Sequence, residues 1–121
     1  MLYSAAMNDR FVDNWTTQLR KGLLEFCVLN AIRGGRIHGY DIVKRLRGLD
    51  GLVTAEGTVY PILSRFKQQG LVRSTVEESA QGPPRKCYTL TERGRKVLSQ
   101  MNERWAAIRK GIATLNGEPG Q

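Results

Sequence analysis

The stretch from Val53 to Gly70, VTAEGTVYPILSRFKQQG, constrains the fold of this chain more than any other. Val59, Ile62, Leu63 and Phe66 recur at i, i+3, i+4 and i+7, the spacing of an apolar helical stripe that docks on a core. Thr54, Gly57, Pro61, Ser64, Arg65 and Gln68 fall on the opposite side. The solvated face of a small protein is usually dense in Lys and Glu. This one carries small hydroxyls, an amide and one Arg, and Glu56 is the acid nearby. Such side chains can meet phosphates and base edges in a major groove. The pattern predicts a DNA recognition helix, the alternative being an ordinary amphipathic surface helix.

Local chemistry supports those bounds. The Thr54 hydroxyl can accept from the free N–H groups of the first turn. Gly70 stands where a C′ residue with positive φ is wanted. Pro61 removes one hydrogen bond and presses its ring toward the carbonyl of Gly57, four residues earlier. With no Cβ at Gly57 the backbone can relax, so a mild kink is expected and not a break.

Upstream, TTQLRKGLLEFCVLNAI runs from Thr16 or Thr17 to Ile32. Leu19, Leu23, Phe26, Cys27 and Asn30 share one side, and Leu24, Val28, Leu29, Ala31 and Ile32 widen the apolar surface to most of the circumference. A helix apolar nearly all round is buried on several sides, so this is the expected central helix. Gly22 is a candidate for a close helix crossing, and Asn30 needs a hydrogen-bond partner, structural in preference to a ligand. Met1 to Trp15 lacks a sustained period and reads as a frayed or loosely helical arm, with Phe11, Val12 and Trp15 available to a partner. After Gly34-Gly35, HGYDIVKRL (His38 to Leu46) reads as a second short helix, with Tyr40, Ile42, Val43 and Leu46 as apolar contacts. Gly48 to Gly51 then turns into the helix at Thr54. Helix, short loop, helix is the helix-turn-helix arrangement.

Downstream, LVRSTVEE (Leu71 to Glu78) and RKCYTLT (Arg85 to Thr91) are β-rich and flank SAQGPP, whose Gly82, Pro83 and Pro84 form turns. A hairpin bearing Arg85 and Lys86 directly after a recognition helix is a wing, able to follow the phosphate backbone or enter the minor groove. A bare solvent-exposed turn is the alternative. Thr91 can cap a last helix, Glu92 to about Leu115. There Leu98, Met101, Trp105, Ile108, Ile112 and Leu115 follow alternating steps of three and four, an a/d seam that predicts dimerisation. Packing on its own domain is the competing account. Residues 116–121 form a Gly/Pro-containing tail. The expected architecture is mainly α with a small β-hairpin (α+β): an arm at 1–15, a winged helix-turn-helix domain at 16–90 and a dimerisation helix at 91–115.

Composition narrows the function. At 121 residues the chain has room for one small domain and little for an enzyme cleft. Lys and Arg number 19 against 11 Asp and Glu, a net charge of +8 that favours polyanionic partners, nucleic acid before anionic membrane. No apolar run approaches the ~18 residues of a membrane span and no secretory leader pattern opens the chain, so a cytoplasmic location is expected. Cys27 and Cys87 form no CxxC and read as buried free thiols. With His38 the sole histidine and no acid cluster, neither a metal site nor a nucleophile–base relay can be assembled from sequence, and no cofactor is expected.

Taken together, LRKGLLEFCVLNAI, HGYDIVKRL, EGTVYPILSRFKQQGLV and RKCYTLTERGRKVL resemble the PadR family of bacterial winged-helix transcriptional regulators, over roughly Gln18 to Leu115. The ordered trio HGY, GTVYP and YTLTERG carries most of the specificity. The single C-terminal helix is similar to the shorter subgroup. The resemblance implies a homodimeric repressor that reads a palindromic operator on double-stranded DNA and is released by a small molecule or other signal. By position it implies a DNA-facing motif of Thr58, Tyr60, Pro61, Ser64 and Arg65, with Arg85 and Lys86 in the wing. Helical geometry puts Tyr60 at the border of the core and DNA faces. Trp105, midway along the seam, is either a flat ligand site near the two-fold axis or dimer core. Pro83-Pro84 stands where relatives often carry glycines and stiffens the wing. A different functional class stays open: a winged-helix interaction module whose basic surface meets an acidic protein.

Overall fold

In a computed structural model of the chain, which describes residues 9–49 and 56–118, the first helix starts earlier than its apolar pattern. α1 spans Arg10–Ile32 because the Asp9 carboxylate caps it, accepting from the Phe11 N–H at 2.8 Å. Thr16 and Thr17 do not break it; each hydroxyl donates to the carbonyl four residues back. The expected arm therefore shrinks, since residues 10–15 are helical, and periodicity missed them because both faces there are exposed to solvent. Leu24, Val28, Leu29 and Ile32 form the buried line that makes α1 the central helix. Among the described residues Gly22 makes no close crossing: a Cβ there would meet nothing within 4 Å.

β1 (Ile37–His38) was not foreseen. It pairs antiparallel with β3, Ile37 opposite Tyr88 and His38 opposite Cys87. α2 (Gly39–Arg47) follows directly, so His38 is a strand residue at the helix cap whose side chain makes no capping bond. Ile42, Val43 and Leu46 are buried as expected, whereas Tyr40 points outward with the Lys44 ammonium 5.6 Å from its ring. α3 (Glu56–Gln68) runs unbroken through Pro61. Its end matches expectation: Gly70 has φ +75°, and the Leu71 and Gly70 N–H groups return to the carbonyls of Phe66 and Lys67.

β2 (Val72–Glu77) and β3 (Arg85–Leu90) form the hairpin, with Val72 opposite Leu90 and Glu77 opposite Arg85, and the sheet order is β1-β3-β2. α4 (Glu92–Leu115) starts at Thr91, whose Oγ1 accepts from the Gly94 N–H at 2.9 Å. The core gathers between α1, α2, α3, the sheet and the first turns of α4. Asn30 is structural: it donates to the Phe26 carbonyl and accepts from Asn102 Nδ2 at 3.1 Å, tying α1 to α4. Among the described residues no helix is long and apolar enough to cross a membrane.

Candidate nucleic-acid interface

α3 divides its two faces as its pattern requires. Val59, Ile62, Leu63 and Phe66 are buried, and Thr58, Tyr60, Pro61, Ser64, Arg65 and Gln68 are exposed. The predicted cap at Thr54 lies outside the described residues. At 3.6 residues per turn, Gly57, Pro61, Ser64 and Gln68 share the centre line of the exposed face, with Thr58 and Arg65 on one flank and Tyr60 on the other. Arg65 also reaches back across the chain. Its guanidinium pairs with the Glu25 carboxylate on α1 and lies 5.9 Å from the Phe66 ring. Nothing local to α3 announces this, because Glu25 is 40 residues away in sequence.

Tyr60 anchors the other flank. A Cβ placed on Gly39 would come within 2.9 Å of Tyr60 Cε1 and 3.2 Å of Tyr88 Cε1, so two rings close over this one backbone position. The three segments HGY, GTVYP and YTLTERG, far apart in sequence, thus meet at Gly39. Burial, then the neighbouring Tyr60, pushes the Tyr88 hydroxyl above its ordinary range. Gly39→Ala is expected to cost about 1–3 kcal/mol, since the buried Tyr88 ring cannot swing to solvent. Urea unfolding measures it, and an unchanged midpoint would show that the rings have room to give.

Arg85 and Lys86, exposed at the start of β3, share a cleft of about 380 Å³ with Pro84, Tyr60, Tyr40, Gly39 and His38. The wing, the flank of α3 and the start of α2 therefore converge on one basic and aromatic-lined concavity. At the root of the wing, folding assembles what sequence reading had excluded: His38, Glu77 and Cys87 bring donor atoms within 4.8 Å of one another. Glu77 and Cys87 are diagonal neighbours across the hairpin, which its turn makes legible; His38 arrives only through β1. The Cys87 thiol and then the Arg36 guanidinium, 3.0 Å away, hold Glu77 below the usual carboxylate range. Burial, then the Glu77 carboxylate, raises the Cys87 thiol.

The α4 seam splits in two. Leu98, 3% exposed, belongs to the chain's own core, and Met101, half-buried, packs against that core. The reason is that α1, β3 and α4 close a single core whose rim they fill. Beyond them Trp105, Ile108, Ile112 and Leu115 stay exposed, Leu115 at 88%. Trp105 leans on Phe26, ring centroids 6.0 Å apart, beside a groove of about 360 Å³ lined by Leu23, Met101 and Ile108. Phe11, Val12, Trp15 and Leu19 extend this exposed apolar surface along α1.

The fold recurs in known proteins. A PadR-family transcriptional regulator from Eggerthella lenta is 31% identical, with a TM-score of 0.74 over 87% of this chain and 91% of that one. A PadR-like transcriptional regulator from Bacillus cereus is 29% identical, with a TM-score of 0.75 over 84% of this chain and 99% of its own. An uncharacterized protein of Lysinibacillus sphaericus is 24% identical over 94 residues, 76% of this chain and 86% of the other. The model of the PadR-like transcriptional regulator family matches residues 28–100, which take in the last turn of the central helix, the helix-turn-helix, the sheet and the first turns of α4. With well over half of its length matched, and with HGY, GTVYP and YTLTERG joined at Gly39, this chain belongs to the PadR-like family of transcriptional regulators.

Proposed function

We propose that this chain acts as a homodimeric, sequence-specific DNA-binding repressor that reads a palindromic operator in the cytoplasm. The observation that carries the reading is the convergence of the wing residues Arg85 and Lys86 with Tyr60 on one cleft beside the exposed face of α3. In the proposed complex α3 enters the major groove, with Ser64 and Gln68 on its centre line facing base edges. Thr58 and Tyr60 flank the phosphates, and the side chains of Arg85 and Lys86 follow the backbone. Arg65 joins them by leaving Glu25. Thr54, at the proposed helix start, contributes a phosphate contact.

Dimerisation is assigned to the exposed apolar surface of α4 and the outer half of α1, with Trp105, Ile108, Ile112 and Leu115 at its centre. A two-fold pair then presents two α3 helices about one DNA turn apart, a half-site spacing of ~10 bp or a close multiple. A flat small molecule in the groove beside Trp105 is the proposed releasing signal. It acts only if it binds the DNA-incompetent spacing more tightly.

The test captures genomic fragments on the purified chain, sequences them, and titrates the enriched duplex. Binding is expected to weaken steeply with salt, through counterion release. Ser64→Glu, a carboxylate at the centre of the exposed face, is expected to reduce affinity by about 10- to 100-fold with the fold intact. Enrichment of no common site would move the basic surface to an acidic protein partner instead, and undiminished binding by Ser64→Glu would take the centre of α3 out of the groove.

A further inference from the structure

We propose that His38, Glu77 and Cys87 form a site for a zinc-class divalent cation at the root of the wing. The three donors come from three strands, β1, β2 and β3, and their ligand atoms all lie within 4.8 Å of one another. Tetrahedral zinc with nitrogen, oxygen and sulfur ligands at ~2.0–2.3 Å holds those ligands roughly 3.5 Å apart. His38 Nε2 lies 3.5 Å from Glu77 Oε1, and the Cys87 thiol donates to the other carboxylate oxygen, Oε2, with Sγ 3.5 Å away. Both separations match that of two groups sharing one tetrahedral ion.

His38 supplies the independent sign. Its Nε2 is buried and has no hydrogen bond of ordinary length; the polar group it faces is the Glu77 carboxylate, 3.5 Å away. On the far side of the ring, Asp41 Oδ2 lies 3.5 Å from Nδ1. A carboxylate there favours the Nδ1–H tautomer and leaves the Nε2 lone pair facing the cluster, as the carboxylates behind metal-bound histidines do.

The charges balance. Binding releases the Cys87 thiol proton to solvent, so that a thiolate and the Glu77 carboxylate neutralise the dication. Arg36 is exposed and can turn away from Glu77. A mixed S, N, O set selects a borderline ion over the hard Mg²⁺ and Ca²⁺, and three protein ligands leave the fourth position to water. His38 leads directly into α2, and Glu77 and Cys87 belong to the wing, so the ion would lock the wing to the helix-turn-helix.

The test titrates the full chain, in a non-thiol reductant, with Co²⁺ as the probe and then Zn²⁺ as competitor, and needs no DNA. The expected result is a thiolate-to-cobalt charge-transfer band that saturates at one ion per chain and disappears on adding Zn²⁺. Cys87→Ser should abolish the band, Glu77→Gln and His38→Gln should weaken binding by about 10-fold or more, and Cys27→Ser should leave it unchanged. Glu77 is exposed enough that its variant keeps the fold whatever Cys87→Ser does. Absence of the band, its persistence in Cys87→Ser, or its loss in Cys27→Ser would overturn the site.

Discussion

Gly94→Ala is expected to destabilise the fold by about 3 kcal/mol or more, a drop in Tm of roughly 12 °C for a domain of this size. Helix propensity alone argues the other way, because alanine inside a helix is favoured over glycine by about 1 kcal/mol. Packing decides the sign. A Cβ at Gly94 would lie 2.0 Å from the Leu71 carbonyl oxygen and 3.0 Å from its carbon. That carbonyl cannot retreat cheaply: it accepts from the Thr91 N–H at 3.1 Å, and Thr91 Oγ1 donates to the Gly70 carbonyl at 2.6 Å. Gly70 and Leu71 are themselves bonded back to the end of α3. Room for a methyl group would therefore have to come from tilting α4 away from the end of α3. Thermal or urea unfolding of the variant measures the cost; a Tm equal to the parent's would mean that α4 and the Gly70 turn slide apart freely.

Ile108→Glu is expected to convert the proposed dimer to monomer, weakening association by about 100-fold or more. Each two-fold interface would receive two carboxylates, and an uncompensated buried charge costs about 3–5 kcal/mol. Ile108 is 56% exposed within one chain, so the monomer loses nothing from its own core. Sedimentation equilibrium separates the outcomes: monomers with native helix content support the α4 surface, and an undisturbed dimer would relocate the interface. Loss of the dimer should also remove the avidity of two half-sites held by one protein, so operator binding should fall with it.

These two positions differ in how visible they are in a one-dimensional chain. The stripe of Val59, Ile62, Leu63 and Phe66, the positive φ of Gly70, the cap at Thr91 and both hairpin strands follow from spacing and local turn chemistry. Each depends on residues within a turn or two of itself. β1 offers no such signal, since two residues have no period and their pairing with Tyr88 and Cys87 spans some fifty residues. The start of α1 was missed for the related reason that an exposed helix end has no buried stripe to betray it; Asp9 was its only marker.

The candidate sites divide along the same line. That α3 exposes Thr58, Pro61, Ser64 and Gln68 was legible, because a helix fixes the angle between neighbours whatever surrounds it. That Arg65 pairs with Glu25, that Leu98 fills the core, that Gly39 lies beneath two tyrosines and that His38 meets Glu77 and Cys87 was not. Side-chain order along the chain was enough to set which faces are oily and where each helix stops, since those choices are local and repeated. Which distant groups share a few ångströms was decided only when the helices and sheet closed around one core, because contact between remote residues is a property of packing and leaves no period to read.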